Sequence, residues 1–194
     1  LSRSPGFTAS VVGVLALGIG ANVAMFSVVD AVMLKPLPFL QPDRIVRVWE
    51  APRPGVTNAI SAATFLEWKR QGTEFEAMSA EKPLSVALQN GGDPARWSGK
   101  AVTADYFHVF GTRASLGRTF AADEDQPGSA PVVVLSYAAW QSDFGADPEI
   151  LNRRPLLDGE PHQVIGVLAP GAFDRDATKF WKPMVFTDVE RQSQ

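Results

Sequence analysis

The sequence predicts an α+β protein, with an N-terminal transmembrane helix followed by a two-lobed mixed α+β domain. Three observations predict it. No charged side chain occurs from Phe7 to Val29. After Lys35, runs of branched and aromatic residues alternate with capped amphipathic segments. These segments fall into two successive groups, the second beginning near Thr112.

The span comes first in the chain. About 23 uncharged residues make roughly 35 Å of helix, more than the hydrocarbon thickness of a bilayer. An apolar run without period-two alternation closes its backbone hydrogen bonds in lipid as a helix. A cleaved signal peptide would have a shorter apolar core and a more basic front, whereas only Arg3 precedes this run. A core helix of a soluble fold is the other reading, favoured by the Ala, Gly, Ser and Asn within it. Ala16, Gly20 and Ala24 recur every four residues and form a stripe that lets another membrane helix approach closely. Asn22 offers a hydrogen bond to a neighbouring helix. Residues 1–34 are therefore read as the span with its short flank.

Lys35-Pro36-Leu37-Pro38 ends the helix, because proline lacks the N–H that would continue the ladder. Each proline also fixes φ, which makes this link a stiff joint rather than a tether. The first lobe is expected over residues 35–111. It holds a strand at 44–50, a loop around Pro52 and Gly55, and a helix at 61–72 capped by Ser61 and stopped by Gly72. Strands come next at 75–80, 84–89 and 96–102, then a short helix at 104–110 capped by Thr103 and closed by Gly111.

The second lobe is expected over residues 112–179. An acidic loop at 122–128 leads to a buried apolar strand at 131–135. Ser136 caps a helix at 137–144 that Gly145 ends. Asp158-Gly159 is the strongest hairpin signal in the chain, flanked by arms at 155–157 and 163–168. A last strand at 180–186 returns to the first lobe.

The chain has 194 residues, a formal net charge of −3 and no cysteine. Arg3 and Asp30 cancel within the span, so the remaining 160 residues carry the whole −3 and suffice for a packed core. A mildly acidic balance without a basic block argues against a nucleic-acid surface. The lack of cysteine removes disulfides, thiolate metal sites and a cysteine nucleophile. Arg3 before the span, and Lys35, Arg44 and Arg47 after it, leave orientation open on charge alone.

The motifs of chemistry are missing. No phosphate-binding loop is present, since Gly18-Ile19-Gly20 lies inside the apolar run with no lysine close after it. His108 and His162 stand in no metal-binding pattern and read as ordinary residues, His108 on a short helix and His162 on the exposed arm of a hairpin. The loop Asp123-Glu124-Asp125-Gln126-Pro127-Gly128 starts like a calcium loop, but its twelfth position is Val134, so a solvated turn is the better reading. Trp49, Trp68, Trp97, Trp140 and Trp181 are spread over different elements as packing anchors. No catalytic, cofactor-binding or metal-ligating residue is expected.

Ser4-Pro5-Gly6-Phe7-Thr8, Leu15 to Asn22, Phe26 to Val32 and Lys35-Pro36-Leu37-Pro38 resemble the first transmembrane helix of MacB/FtsX-type ABC transporter permeases, most of all the large permeases of acidobacteria. The likeness continues through Phe65-Leu66-Glu67-Trp68, Gly117-Arg118-Thr119-Phe120, Val132 to Ser136, Phe144-Gly145 and Asp158-Gly159-Glu160-Pro161, which resemble the MacB-like periplasmic core domain. The resemblance implies a non-catalytic permease fragment in the bacterial inner membrane, with residues after about 35 in the periplasm as two lobes. It also implies partners: a cytoplasmic ATPase, a second permease protomer, membrane lipid, and in exporters a periplasmic adaptor and outer-membrane channel. Its role would be to couple ATP-driven helix motion to the periplasmic domain, for export or for mechanical control of another protein. Lys35, Pro36, Leu37 and Pro38 are the candidate coupling link, and Ala16, Gly20, Asn22 and Ala24 the candidate helix-packing residues. The alternative is a membrane-tethered sensor or ligand-binding domain, for which a deep pocket lined by the tryptophans would be the sign.

Overall fold

The computed structural model describes residues 5–29, 39, 41–53, 55–90, 94–171, 173 and 177–192. It divides into two compact units, residues 1–37 and 38–194. In the first, α1 runs unbroken over Pro5–Val29. Gly6–Ser27 is long and apolar enough to cross a membrane, and none of it is buried within the chain. Its hydroxyls are satisfied inside the helix: Ser10 Oγ donates to the Gly6 carbonyl at 3.0 Å and Ser27 Oγ to that of Val23 at 2.8 Å.

The second unit is built on one sheet. Its strands are β3 (Glu81–Gln89), β4 (Ala95–Val102), β5 (Ala114–Gly117), β6 (Val132–Leu135), β7 (Leu156–Leu157), β8 (Glu160–Pro161), β9 (Gln163–Leu168) and β10 (Phe180–Pro183). Their order across the sheet is β5-β9-β6-β10-β4-β3-β7-β8. A separate two-stranded sheet pairs β1 (Glu50–Arg53) with β2 (Val56–Asn58). Of the strand expected at 180–186, Phe180–Pro183 forms a ladder, as β10. It lies parallel to β4 and antiparallel to β6, so it joins strands from either side of residue 112 in one sheet. β7 and β8 also come from beyond that residue and extend the edge beside β3.

The centre of this sheet is covered on both faces, which explains an unbroken apolar run such as β6. Val133 and Leu135 point into one core with Val86, Trp97 and Phe180, under Ala139, Trp140 and Phe144 of α4 (Tyr137–Phe144). Val132 and Val134 point into the other, with Tyr106 and Phe107 of α3 (Tyr106–Val109) and with Phe120 and Trp181. The successive residues Phe180 and Trp181 of β10 thus serve opposite cores, as the pleat requires. Gly99 of β4 is the register partner of Phe180, and a Cβ there would stand 2.3 Å from the Phe180 ring. Glycine is what lets that ring lie across the neighbouring strand and stack on Trp97, with centroids 5.8 Å apart.

The caps at Ser61 and Ser136 form as expected. Ser61 Oγ accepts the Thr64 N–H at the start of α2 (Ala62–Gln71), and Ser136 Oγ accepts that of Ala139. Gly145 ends α4 in the left-handed region at φ 61°. Five expectations are corrected. Residues 45–49 form no ladder, and the strand begins at Glu50, because its one partner among the described residues is the local β2. Residues 75–80 also form none; Ala80 is tied instead to Thr103. Thr103 Oγ1 accepts the Ala80 N–H at 3.0 Å, and the short helix starts only at Tyr106, so Thr103 is no cap for it. The hairpin at Asp158-Gly159, with φ 53° and 82°, has arms of only two residues. Gln163–Leu168 leaves it to run between β5 and β6, because its apolar residues fill both cores. Last, His162 is buried, at 3% exposure, with its Nδ1 2.9 Å from the Glu160 carbonyl oxygen.

A helix the sequence did not suggest, α5 (Asp188–Gln192), opens with a reciprocal cap. Thr187 N–H donates to Glu190 Oε2 at 2.9 Å, and Glu190 N–H donates to Thr187 Oγ1 at 3.2 Å.

Candidate functional site

On α1, Ala16, Gly20, Asn22 and Ala24 are all exposed. A Cβ built on Gly13, Gly18 or Gly20 would meet nothing within 4 Å. Four-residue spacing stacks Ala16, Gly20 and Ala24 up one face, since each residue turns the helix by about 100°. The same geometry puts Asn22 on the opposite side, with Leu15 and Phe26. The helix therefore does not bring Asn22 together with the stripe, and a single straight neighbour cannot meet both.

The candidate link Lys35-Pro36-Leu37-Pro38 lies outside the described residues. The segment just past it is fixed firmly. Phe39 is half-buried, with its ring centroid 4.7 Å from that of Phe110 and 5.4 Å from that of Phe173. Those rings continue through Tyr106 and Phe107 to Trp181 in the sheet, with successive centroids at 4.8, 5.6 and 5.8 Å. Farther along this leading segment, Arg47 Nη2 reaches Glu81 Oε1 at 2.6 Å. The other oxygen of Glu81 accepts from Lys100 Nζ at 3.1 Å and from the Tyr106 hydroxyl at 2.9 Å. One carboxylate thus ties the leading segment, β3, β4 and α3 together. The partners of Phe39 and Arg47, namely Phe110, Phe173 and Glu81, lie 34 to 134 residues further along the chain, a distance no local pattern reveals.

The acidic loop is not a free solvated turn. Glu124 takes a two-pronged hydrogen bond from Arg118, at 2.8 and 2.6 Å, and accepts the Ala121 N–H at 2.8 Å. This pairing with Arg118 holds the Glu124 carboxyl below its ordinary range and raises Arg118. Asp125 is buried and accepts the Ala104 N–H at 3.0 Å, docking the loop onto the start of α3. The carboxylates of Glu124 and Asp125 are spent on protein partners, and no group of three potential metal ligands occurs among the described residues.

Trp97 and Trp181 are fully buried, while Trp140 donates its Nε1–H to the Asp147 carbonyl at 2.9 Å. Trp49 and Trp68 are exposed. An open groove of about 530 Å³ lies between Gln89, Asn90, Asn152, Arg153, Arg154 and Leu156, and no tryptophan lines it. Its arginines already have partners: Arg153 donates to Asp147 and Arg154 to Gln163.

Residues 8–194, a stretch that takes in most of α1 as well as the sheet, match the family model described as MacB-like periplasmic core domain. Among solved structures, the periplasmic region of MacB from Actinobacillus actinomycetemcomitans is similar with a TM-score of 0.51 at 20% identity, over 64% of this chain and 56% of that one. The extracellular domain of the noncanonic ABC-type transporter YknZ from Gram-positive bacteria is similar with a TM-score of 0.54 at 16% identity, over 64% of this chain and 63% of that one. The chain thus spans less than two thirds of either solved domain, and the likeness to them is one of fold. No curated protein matches. By its family match, which covers nearly its whole length, the chain belongs to the MacB-like periplasmic core domains.

Proposed function

We propose that this chain is part of an ABC transporter permease in the bacterial inner membrane. In this reading α1 spans the bilayer, and the sheet domain lies in the periplasm as a mechanical element. ATP is hydrolysed elsewhere, on a cytoplasmic ATPase that partners the permease. Displacement of the span passes through Lys35-Pro36-Leu37-Pro38 into the domain, for export or to act on another protein. The observation that supports it most is the fixing of the residues just past the link: Phe39 is seated among aromatic rings, and Arg47 is bonded to Glu81. A segment held at several points carries displacement into a sheet, where a loose tether would absorb it.

The membrane and periplasmic partners belong to the same proposal. The stripe of Ala16, Gly20 and Ala24 meets one membrane helix, of the same permease or of a second protomer, and Asn22 meets another. The division into a first lobe over 35–111, with its return strand, and an inserted second lobe over 112–179 belongs to the same proposal. A periplasmic adaptor and outer-membrane channel would complete an exporter of this kind. The sensor alternative gains nothing from the groove, which is open and holds none of the tryptophans.

The test replaces Pro36 and Pro38 together by glycine in the full permease. Export, or the output of the regulated partner, is expected to fall severalfold while basal ATP hydrolysis persists. Unchanged output would refute the coupling role of the link.

A further inference from the structure

The β1–β2 hairpin pairs with no other strand among the described residues. Two strands alone are marginal in water. Yet this hairpin and the segment leading into it present Val46, Val48, Trp49 and Val56 to solvent, at 64%, 42%, 49% and 43% exposure. Arginines stand among them. Arg47 lies over the Trp49 ring, 4.5 Å from its centroid, and Arg44 and Arg53 are exposed on either side. Residues 43–58 hold three arginines against two carboxylates, Asp43 and Glu50, a slight local excess of positive charge in a chain of net −3. Trp49 follows the last residue of α1 by only 20 positions.

Tryptophan, valine and arginine side by side is the chemistry of a membrane–water interface. The indole settles at headgroup level, and guanidinium groups meet lipid phosphates. We propose that this hairpin rests on an anionic phospholipid surface, with Trp49 in the headgroup layer and Arg44 and Arg53 against phosphates. Arg44 is now paired with Glu76 at 3.1 Å, but both side chains are about two-thirds exposed, so the pair holds weakly and yields to a phosphate. Arg47 stays with Glu81, which keeps the hairpin joined to the sheet. The proposal rests on the reading of α1 as a span.

The test reconstitutes the full chain in phosphatidylcholine vesicles with about one-third phosphatidylglycerol, some carrying a nitroxide near the headgroup. Subtracting the emission of Trp49→Phe from that of the wild type isolates Trp49. The shallow nitroxide is expected to quench that difference by about half, less so without phosphatidylglycerol, and Arg44→Glu with Arg53→Glu is expected to abolish the quenching. A chain that floats with the vesicles while Trp49 stays unquenched overturns the proposal and leaves the span intact. A Trp49 that is shielded but unquenched, in proportion to protein density, assigns the hairpin to a second copy and also overturns it. A chain that fails to float overturns the span, and the proposal with it.

Discussion

Glu124 shows how one residue can look like one thing in sequence and act as another. As the middle of Asp123-Glu124-Asp125 it reads as part of a solvated turn, whereas its two oxygens face Arg118 and the Ala121 N–H. Its hydrogen bond from Arg118 favours the charged form, so its carboxyl titrates below the ordinary value when folded. The stability this supplies is complete above the unfolded value of about 4.3 and is lost as pH falls through the lower folded value. Replacing Glu124 by Gln should therefore lower the thermal midpoint at neutral pH and flatten its decline in acid; parallel curves for variant and wild type would contradict the assignment. Asp125 makes the same point through burial, since its partner is the backbone of Ala104, 21 residues upstream. His162 does too: Asp158-Gly159 announces a hairpin, but nothing local says that β9 leaves it to run between β5 and β6.

At the scale of elements, legibility depended on whether the signal was local. Ser61 and Ser136 cap the helices they precede, and Gly145 stops α4 at a positive φ, because a cap is decided within four residues. Val132–Leu135 reads as buried from its composition alone and is buried on both faces. Strand edges were less legible. Residues 44–50 have the branched and aromatic make-up of a strand, but composition favours extended backbone without naming a partner, and the ladder begins only at Glu50. The seat of Phe39 belongs to this scale as well, because Phe110 and Phe173 reach it from separate connections. Replacing Phe39 by Ala should cost about 2 kcal/mol, less than the roughly 3–5 kcal/mol of a fully buried phenylalanine. Hydrogen exchange should show the loss as faster opening of residues 41–49, with β6 and β10 unchanged; uniform change across the sheet would place Phe39 in the global core instead.

At the scale of the molecule, α1 and the sheet domain were both legible as types, a long apolar helix and a mixed α+β body, and one family match runs over most of both. The candidate site was legible only in part. The apolar length and the small-residue stripe stand in the sequence, while the opposed placement of Asn22 needed helical geometry, and the Glu81 node needed the fold. These 194 residues hold no cysteine, so the central claim, a membrane span bearing a body outside, is open to a clean measurement once any cysteine elsewhere in the permease is replaced by serine. Single cysteines would replace Ala130, exposed ahead of β6, and Ala21, in the middle of α1, each in the full permease in spheroplasts. A membrane-impermeant maleimide is expected to label Ala130→Cys from outside and to leave Ala21→Cys unlabelled until the bilayer is dissolved. Labelling of Ala130→Cys only after lysis, or of Ala21→Cys in intact spheroplasts, would contradict the account.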